Sequence, residues 1–472
     1  MTNCSSTVLS NFWLDQALAE ETGAAAAPPL DGDAKADVAI VGGGYTGLWT
    51  AIELKAREPG LDVVVIEKAI CGWGASGRNS GYLLDLWLLF PAMKARFGRE
   101  TALAIGRASS AAIDGVIGFC ADKDIDAEIR RQGWLWGATC QRHDGLWQSL
   151  VDDLARDQGP PYQGLTGAEI TERWGLTGYV SGLLNPRSAH LQPAKLVRGL
   201  RRVALERGVR LHENTALVGL ERGRPPAVRT AHGRITAGKV VIAMNAWVVA
   251  LRELSRSIVA TGYANAVTEP MADRLAASGF GDGPCVNDTR MMINALRPTA
   301  GGRVLFGKPG WALAYGGRVG DAFEGDTEWL LDSRRHHREL DPVLPGLTAS
   351  RAWSGPIDRS RDGLQIFGPL PGSPDILHAT GFSGDGVGPC WLAGKVLASL
   401  ALGEQDEWAD FGLVHPPEPD FPREPVRWIG VKLVRRAIAK VDDADHAGRK
   451  AGLLSCGLKG LMAAGIASRT GD

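Results

Sequence analysis

ADVAIVGGGYTGLWTAIEL, residues 36–54, decides how this chain folds. An apolar run, Val38 to Val41, leads directly into Gly42, Gly44 and Gly47 at G-x-G-x-x-G spacing, and a helical pattern follows from Leu48 to Arg57. Gly42 permits a tight turn, Gly44 lets the backbone approach a diphosphate, and Gly47 lets helix and strand pack closely, with the helix N-terminus facing the phosphate charge. A second strand is expected from Leu61 to Ile66, and Glu67 stands at its end, about 20 residues past the motif, where a carboxylate accepts from ribose hydroxyls. The unit is βαβ, the start of a Rossmann-type dinucleotide-binding domain.

The glycine pattern alone serves FAD and NAD equally. CGWGASGRNSGYLL, residues 71–84, separates them. Gly74, Ala75, Ser76 and Gly77 let backbone N–H groups and a hydroxyl close on an extended ligand, and Arg78 and Asn79 add polar groups at the bend. This stretch resembles the second flavin-contacting segment of the D-amino-acid oxidase family, in the branch of sarcosine oxidase, glycine oxidase and γ-glutamylputrescine oxidase; aminophosphonate oxidoreductases share the overall layout. SAHLQPAKLVRGL (188–200) is similar to the family's His-Leu-x-Pro segment, and residues 351–372 and 379–400 are similar to its C-terminal flavin segment, so the resemblance runs from about Asp37 to Gly403. It implies FAD as cofactor and adds Tyr45, Thr46, Lys68, Ser80, Gly81, Gly381, Gly384, Asp385, Gly386 and Val387 to the residues that hold it. It also implies an enzyme that moves a hydride from the carbon next to nitrogen in a small amine or amino acid to flavin N5, giving an imine that hydrolyses.

Two departures from the family pattern bear on the cofactor. Relatives commonly read Gly-His-Gly-Val where this chain has Gly384-Asp385-Gly386-Val387. With Thr380 and Ser383, Asp385 is a candidate cap for a helix running to Leu400; the alternative is that it faces the flavin ring and lowers its potential. Monomeric sarcosine oxidases anchor flavin through a cysteine, and none occurs between Val286 and Pro389. Non-covalent FAD is therefore expected, with Cys71 a buried structural thiol. The family comparison makes Trp353, Tyr263 and Trp311 candidate walls of the substrate site. Arg297 and Arg359 are candidates for an acidic substrate group, and Lys308, where close relatives carry glycine, is a third cation. His190 reads as a structural histidine outside the catalytic set.

The remaining features set the class. At 472 residues, two domains are expected. Lys+Arg 52 against Asp+Glu 53 gives net charge -1, which removes the footprint of a nucleic-acid binder. The 7 cysteines form no CxxC pair, so no metal site is expected and a reducing cytoplasm fits. Neither a secretory pattern nor an apolar run of roughly 18 residues is present, so no transmembrane segment is expected.

The expected fold is α/β (α+β overall): a Rossmann-type FAD-binding domain, a second antiparallel-sheet substrate domain and a C-terminal helical tail. Residues 1–36 read as an N-terminal extension and linker. Residues 37–93, 181–250 and 351–412 read as the FAD-binding domain, 94–180 (helical, tryptophan-rich) and 251–350 as the substrate domain, and 413–472 as the tail. Within these, Pro193 to Arg207 reads as a helix, Lys239 to Met244 as a parallel-sheet strand, and Ser257 to Thr268 and Arg290 to Phe306 as antiparallel strands. Val426 to Lys440 is amphipathic with a basic face, suited to packing on its own domain, to a homo-oligomer contact or to a membrane surface. No Ser-His-Asp triad, HExxH or GKS/GKT loop is present. A flavin monooxygenase, or a flavin- or NAD-binding subunit without turnover, is the alternative function.

Overall fold

The computed structural model describes residues 11–25, 27–157, 159–320, 323 and 339–462. The outer ends of the expected extension and tail, and residues 324–338 of the expected substrate domain, lie outside the described residues.

Strand Ala34–Val41 is the centre of the first sheet. It pairs in parallel with Val63–Ile66 on one side (Val38 opposite Val63) and with Arg234–Ile242 on the other (Val38 opposite Lys239). Arg210–His212 extends the sheet at one edge, and Ser373–Thr380 and then Ile366–Leu370 at the other. The unbroken apolar run makes sense because both faces are covered. Val38 and Ile40 enter the core under helices Tyr45–Arg57, Pro193–Glu206 and Pro389–Leu402, while Ala39 and Val41 enter a second core on the opposite face. The fingerprint glycines are sterically fixed: a Cβ on Gly47 would lie 2.0 Å from the Gly42 carbonyl oxygen, and Gly42 itself has φ +118°.

The second sheet runs, edge to edge, Arg351–Arg359, Val259–Val267, Val304–Leu313, Ala295–Pro298, Cys285–Asp288, Trp134–Ala138, Ser181–Asn185 and Gln163–Thr166. It corrects several expectations. The sheet is mixed rather than purely antiparallel, because Cys285–Asp288 pairs in parallel with Trp134–Ala138, a pairing that the long chain excursion between them allows. Segment 94–180 is not wholly helical: Trp134 and Trp136 are two apart on a strand, their rings stacked 6.2 Å apart. Ser181–Asn185 and Arg351–Arg359, expected in the FAD-binding domain, are strands of this second sheet. Residues Arg290 to Asn294 form a loop, with strands only from Ala295.

Both chain ends also differ from the reading as linker and appendage. Phe12–Glu20 is a helix capped by the Asn11 side chain, and Trp13, Leu14 and Ala17 are buried with Trp353, Val267 and Leu305 of the second sheet. Its sequence carries apolar residues enough for packing, but most of the partner surface lies more than 170 residues downstream, as in the bond from Gln192 Nε2 to the Trp13 carbonyl. The tail helix Val426–His446 buries Val431, Val434, Ala437, Ile438 and Val441 against the body. Helix Arg99–Asp122 is long and apolar enough to cross a membrane by length and composition, yet half of its apolar window is buried inside the fold.

Trp13 is 1 % exposed and lies under the Arg297 guanidinium, 4.9 Å from the ring centroid. Trp13→Ala is expected to cost about 3–5 kcal/mol of stability in urea denaturation; a loss below about 1 kcal/mol would return this segment to the role of a loose extension.

Candidate functional site

A cavity of about 530 Å³ runs from the first glycine turn to the second sheet. At one end the two glycine stretches meet directly. The backbone N–H of Tyr45, in the first turn of its helix, donates to Ser76 Oγ at 2.9 Å, and a Cβ on Gly44 would lie 2.8 Å from that same oxygen. Gly42, Gly44, Tyr45, Thr46, Glu67 and Lys68 line the cavity, as do Gly74, Ala75, Ser76, Arg78, Asn79 and Ser80. Gly47, Gly77 and Gly81 do not. They act from behind, where a Cβ would strike the carbonyl oxygens of Gly42, Gly72 and Leu191 at 2.0–2.1 Å. Lys68 reaches over the rings of Trp73 and Trp247, 4.4 and 4.7 Å away.

Glu67 accepts from the N–H groups of Gly43 (2.8 Å) and Ala69 (3.0 Å). Burial raises its pKa and those two bonds pull it back. Residues Thr215 to Leu220, together with Trp247, complete this end. Sequence reading missed them, since no motif marks the segment after Arg210–His212.

Gly384, Asp385, Gly386 and Val387 line the same cavity; Gly381 (φ +79°) is not among its lining residues. The helix after them starts at Pro389, its N-cap is Gly388, and no side chain caps it. The expected capping by Asp385, Thr380 or Ser383 is therefore corrected: Asp385 belongs to the cavity wall. The carboxylate that shapes the segment is Asp358, fully buried, which accepts from Gly381 N (2.6 Å), Thr380 Oγ1 (3.2 Å) and Asn245 Nδ2 (3.0 Å). Burial pushes its pKa up to about 6 against those bonds. It sits next to Arg359 in the sequence and was passed over, because its partners lie more than 20 residues away on other turns.

Of the candidate substrate residues, the cavity takes Tyr263 and Arg359. Burial raises the Tyr263 phenol pKa, with Ser80, Arg359 and Asp385 among the groups acting on it. Arg297 is misassigned as a substrate contact. It is 2 % exposed and donates to the carbonyls of Ser80 (2.5 Å), Leu191 (2.8 Å) and Pro298 (3.1 Å), so its fork is spent on backbone. Trp353 is likewise a brace: its Nε1–H donates to the Arg78 carbonyl at 2.8 Å and its ring packs on Trp13. Lys308 is ion-paired with Glu339 outside the cavity; burial would raise the Glu339 carboxyl, but Lys308 and Arg290 hold it down to about 2. Trp311 is exposed beside Arg435. His190 is buried next to Arg297, and burial followed by that charge holds it well below its usual pKa, as a structural histidine. The substrate end is completed by Tyr82, Trp136, Asn287 and the loop Thr289 to Ile293.

These groups fit FAD. Glycine backbone and a helix N-terminus would serve the diphosphate and Glu67 the ribose, while the buried Asn245 Oδ1 on the cavity wall has no hydrogen-bond partner among the described residues. Glu67→Ala is expected to weaken FAD binding by roughly 10- to 150-fold, the equivalent of losing charge-assisted bonds of about 1.5–3 kcal/mol, read by titrating apoprotein with FAD. Unchanged affinity would remove Glu67 from the site.

Residues 37–400 match the family model described as FAD dependent oxidoreductase, DAO. γ-Glutamylputrescine oxidoreductase of Escherichia coli (strain K12) is 29% identical over 387 residues, 81% of this chain and 88% of that protein. Glycine oxidase of Pseudomonas putida is 26% identical over 367 residues, 74% of this chain and 90% of that protein. The crystal structure of glycine oxidase from Geobacillus kaustophilus superposes with TM-score 0.64 at 22% identity, covering 81% of this chain and 99% of that one. With the paired glycine stretches and Glu67 on one cavity and the family match spanning 37–400, this chain belongs to the DAO family of FAD-dependent oxidoreductases.

Proposed function

We propose that this enzyme oxidises a carbon–nitrogen bond of a small amine or amino acid. The observation that carries the reading is the continuity of the cavity, which joins the flavin cradle to a wall of Tyr82, Trp136 and Tyr263 with Arg359 beside them. Bound FAD would supply the acceptor for a hydride from the carbon next to nitrogen. The protein's own task is to hold that carbon in place and keep water out, which suits aromatic walls. Arg359, on the cavity wall, takes the place of Arg297 and Lys308 as the candidate contact for an acidic substrate group. The functions given by name to the relatives, oxidation of glycine and of γ-glutamylputrescine, support an amine-bearing substrate.

Screening primary amines, secondary amines, amino acids and aminophosphonates for anaerobic bleaching of the flavin spectrum tests the proposal, and at least one class is expected to reduce it. A panel with no reduction would favour a binding subunit. Oxygen uptake with peroxide release then separates an oxidase from an enzyme with another electron acceptor, and oxygen incorporated into the product marks a monooxygenase.

The FAD is held without a covalent bond. Cys71 is fully buried behind Gly43, and burial pushes the Cys390 thiol up to about 12, far from a reactive thiolate. Acid precipitation is expected to leave a colourless pellet and a yellow supernatant; a yellow pellet overturns this. The six described cysteines are all free, which fits a reducing cytoplasm.

A further inference from the structure

The tail helix Val426–His446 lies beyond the family match at 37–400, yet it holds the loop that forms one wall of the substrate end. Thr289, Arg290, Met291 and Ile293 line the cavity. The loop is closed on itself through Asp288, which accepts from the N–H (2.9 Å) and side chain (2.7 Å) of Asn294 and is ion-paired with Arg290. That closure leaves the N–H groups of Met291 and Met292 facing the tail. Asp442 accepts both, at 3.1 and 2.9 Å, one on each carboxylate oxygen. Asp442 is 5 % exposed, and Met292 packs with Val434 and Ile438, two turns and one turn earlier on the helix.

A second tie runs from the tail through a histidine. His143 Nδ1 is hydrogen-bonded to Thr289 Oγ1 (2.9 Å), and its Nε2 lies 3.5 Å from Asp445 of the tail helix. His446, next along, is bonded to Thr139 Oγ1 (2.6 Å) and to the Asp442 carbonyl (2.8 Å). Cys140 lies within 4.8 Å of these imidazoles, but every ring nitrogen of the two already has a hydrogen-bonding or ionic partner, which makes them ties rather than waiting metal ligands.

We propose that the tail helix is a specificity element and that Asp442 is a positioning residue, fixing the Thr289–Ile293 wall through its two backbone acceptor bonds. The proposal rests on the amine-oxidation reading for what the wall recognises, but not for its existence. A buried carboxylate costs desolvation, and two charge-assisted bonds to N–H groups offset part of that cost while fixing the loop backbone against the helix. Burial pushes this carboxyl up to about 6, while the two N–H bonds act in the opposite direction. The flavin end shares none of these contacts.

The test uses FAD-loaded Asp442→Ala and Asp442→Glu. For the amine that best reduces the wild type, Asp442→Ala is expected to raise KM about tenfold or more, the equivalent of one charge-assisted bond, with kcat within about threefold and FAD affinity unchanged. Asp442→Glu is expected to recover part of the loss. Amide hydrogen exchange at residues 289–293 is expected to speed up about tenfold or more in Asp442→Ala, while the Gly42–Gly47 turn keeps its protection. An unchanged KM, or a KM rise matched by an equal loss of FAD affinity, overturns the proposal. If no amine reduces the wild-type flavin, the proposed function fails, and the exchange measurement still decides this inference: unaltered exchange at 289–293 overturns it.

Discussion

The structure depends on how the bend Gly74–Gly81 has its backbone carbonyls satisfied. The bend lines the cofactor cavity, and three of its carbonyls are met by side-chain donors from distant elements. Gly77 accepts from Asn11 Nδ2 at 2.6 Å, Arg78 from Trp353 Nε1 (2.8 Å) and Asn265 Nδ2 (3.0 Å), and Ser80 from Arg297 Nε (2.5 Å). These donors come from the N-terminal helix cap and three strands of the second sheet. A net bond contributes only about 0.5–1.5 kcal/mol, but a buried carbonyl left without one costs about 1–3. The flavin bend is thus held in place only when both sheets and the first helix have docked, and cofactor geometry is tied to tertiary assembly.

That coupling explains which residues declared themselves in the sequence. Gly42, Gly44 and Gly47 were legible because their constraint is local: a turn, a close approach and a helix–strand contact, all within six residues. Glu67 was legible because its spacing from that turn follows from one βαβ unit, and Ser76 through the resemblance of its glycine-rich stretch to a flavin-contacting segment. Arg297 and Trp353 were noticed for the right reason, an arginine and a large aromatic near the flavin segments, and given the wrong role. Nothing in a linear sequence tells a guanidinium that meets a substrate carboxylate from one that meets three backbone carbonyls. The pair Lys308–Glu339 is the same case, since the acid that occupies the lysine lies 31 residues away in the sequence. Helix Phe12–Glu20 and strand Trp134–Ala138 failed differently: their signals are short, and their partners are supplied by distant strands.

The charges around the cavity divide the same way. The N-terminal ends of helices Tyr45–Arg57 and Pro389–Leu402 come together there, joined by the Thr46 Oγ1 to Cys390 Sγ contact at 3.1 Å. Each presents roughly half a positive charge of backbone origin, suited to a diphosphate and to electron-rich flavin. Asp385 adds an anion next to the second helix, and Arg359 a cation across from it near Tyr263. The fixed charge comes from helix backbone, and Asp385 and Arg359 are side chains added to it on the cavity wall.

A consequence is an asymmetry in what the two ends of the cavity can tolerate. The cofactor end is built from glycine backbone and from carbonyls clamped by buried donors, so a side chain at Gly42, Gly47, Gly77 or Gly81 meets a carbonyl oxygen and the loss of a donor leaves a carbonyl unmet. The substrate end is built from side chains on a loop whose position is imposed by Asp442 and His143. Changing Met291 or Ile293 alters the shape of that wall without touching a glycine turn. Cofactor identity is therefore written into rigid, local sequence patterns, while substrate identity is written into loop side chains and a tail helix that the family pattern does not include. It follows that the flavin could be read from the sequence and the amine could not.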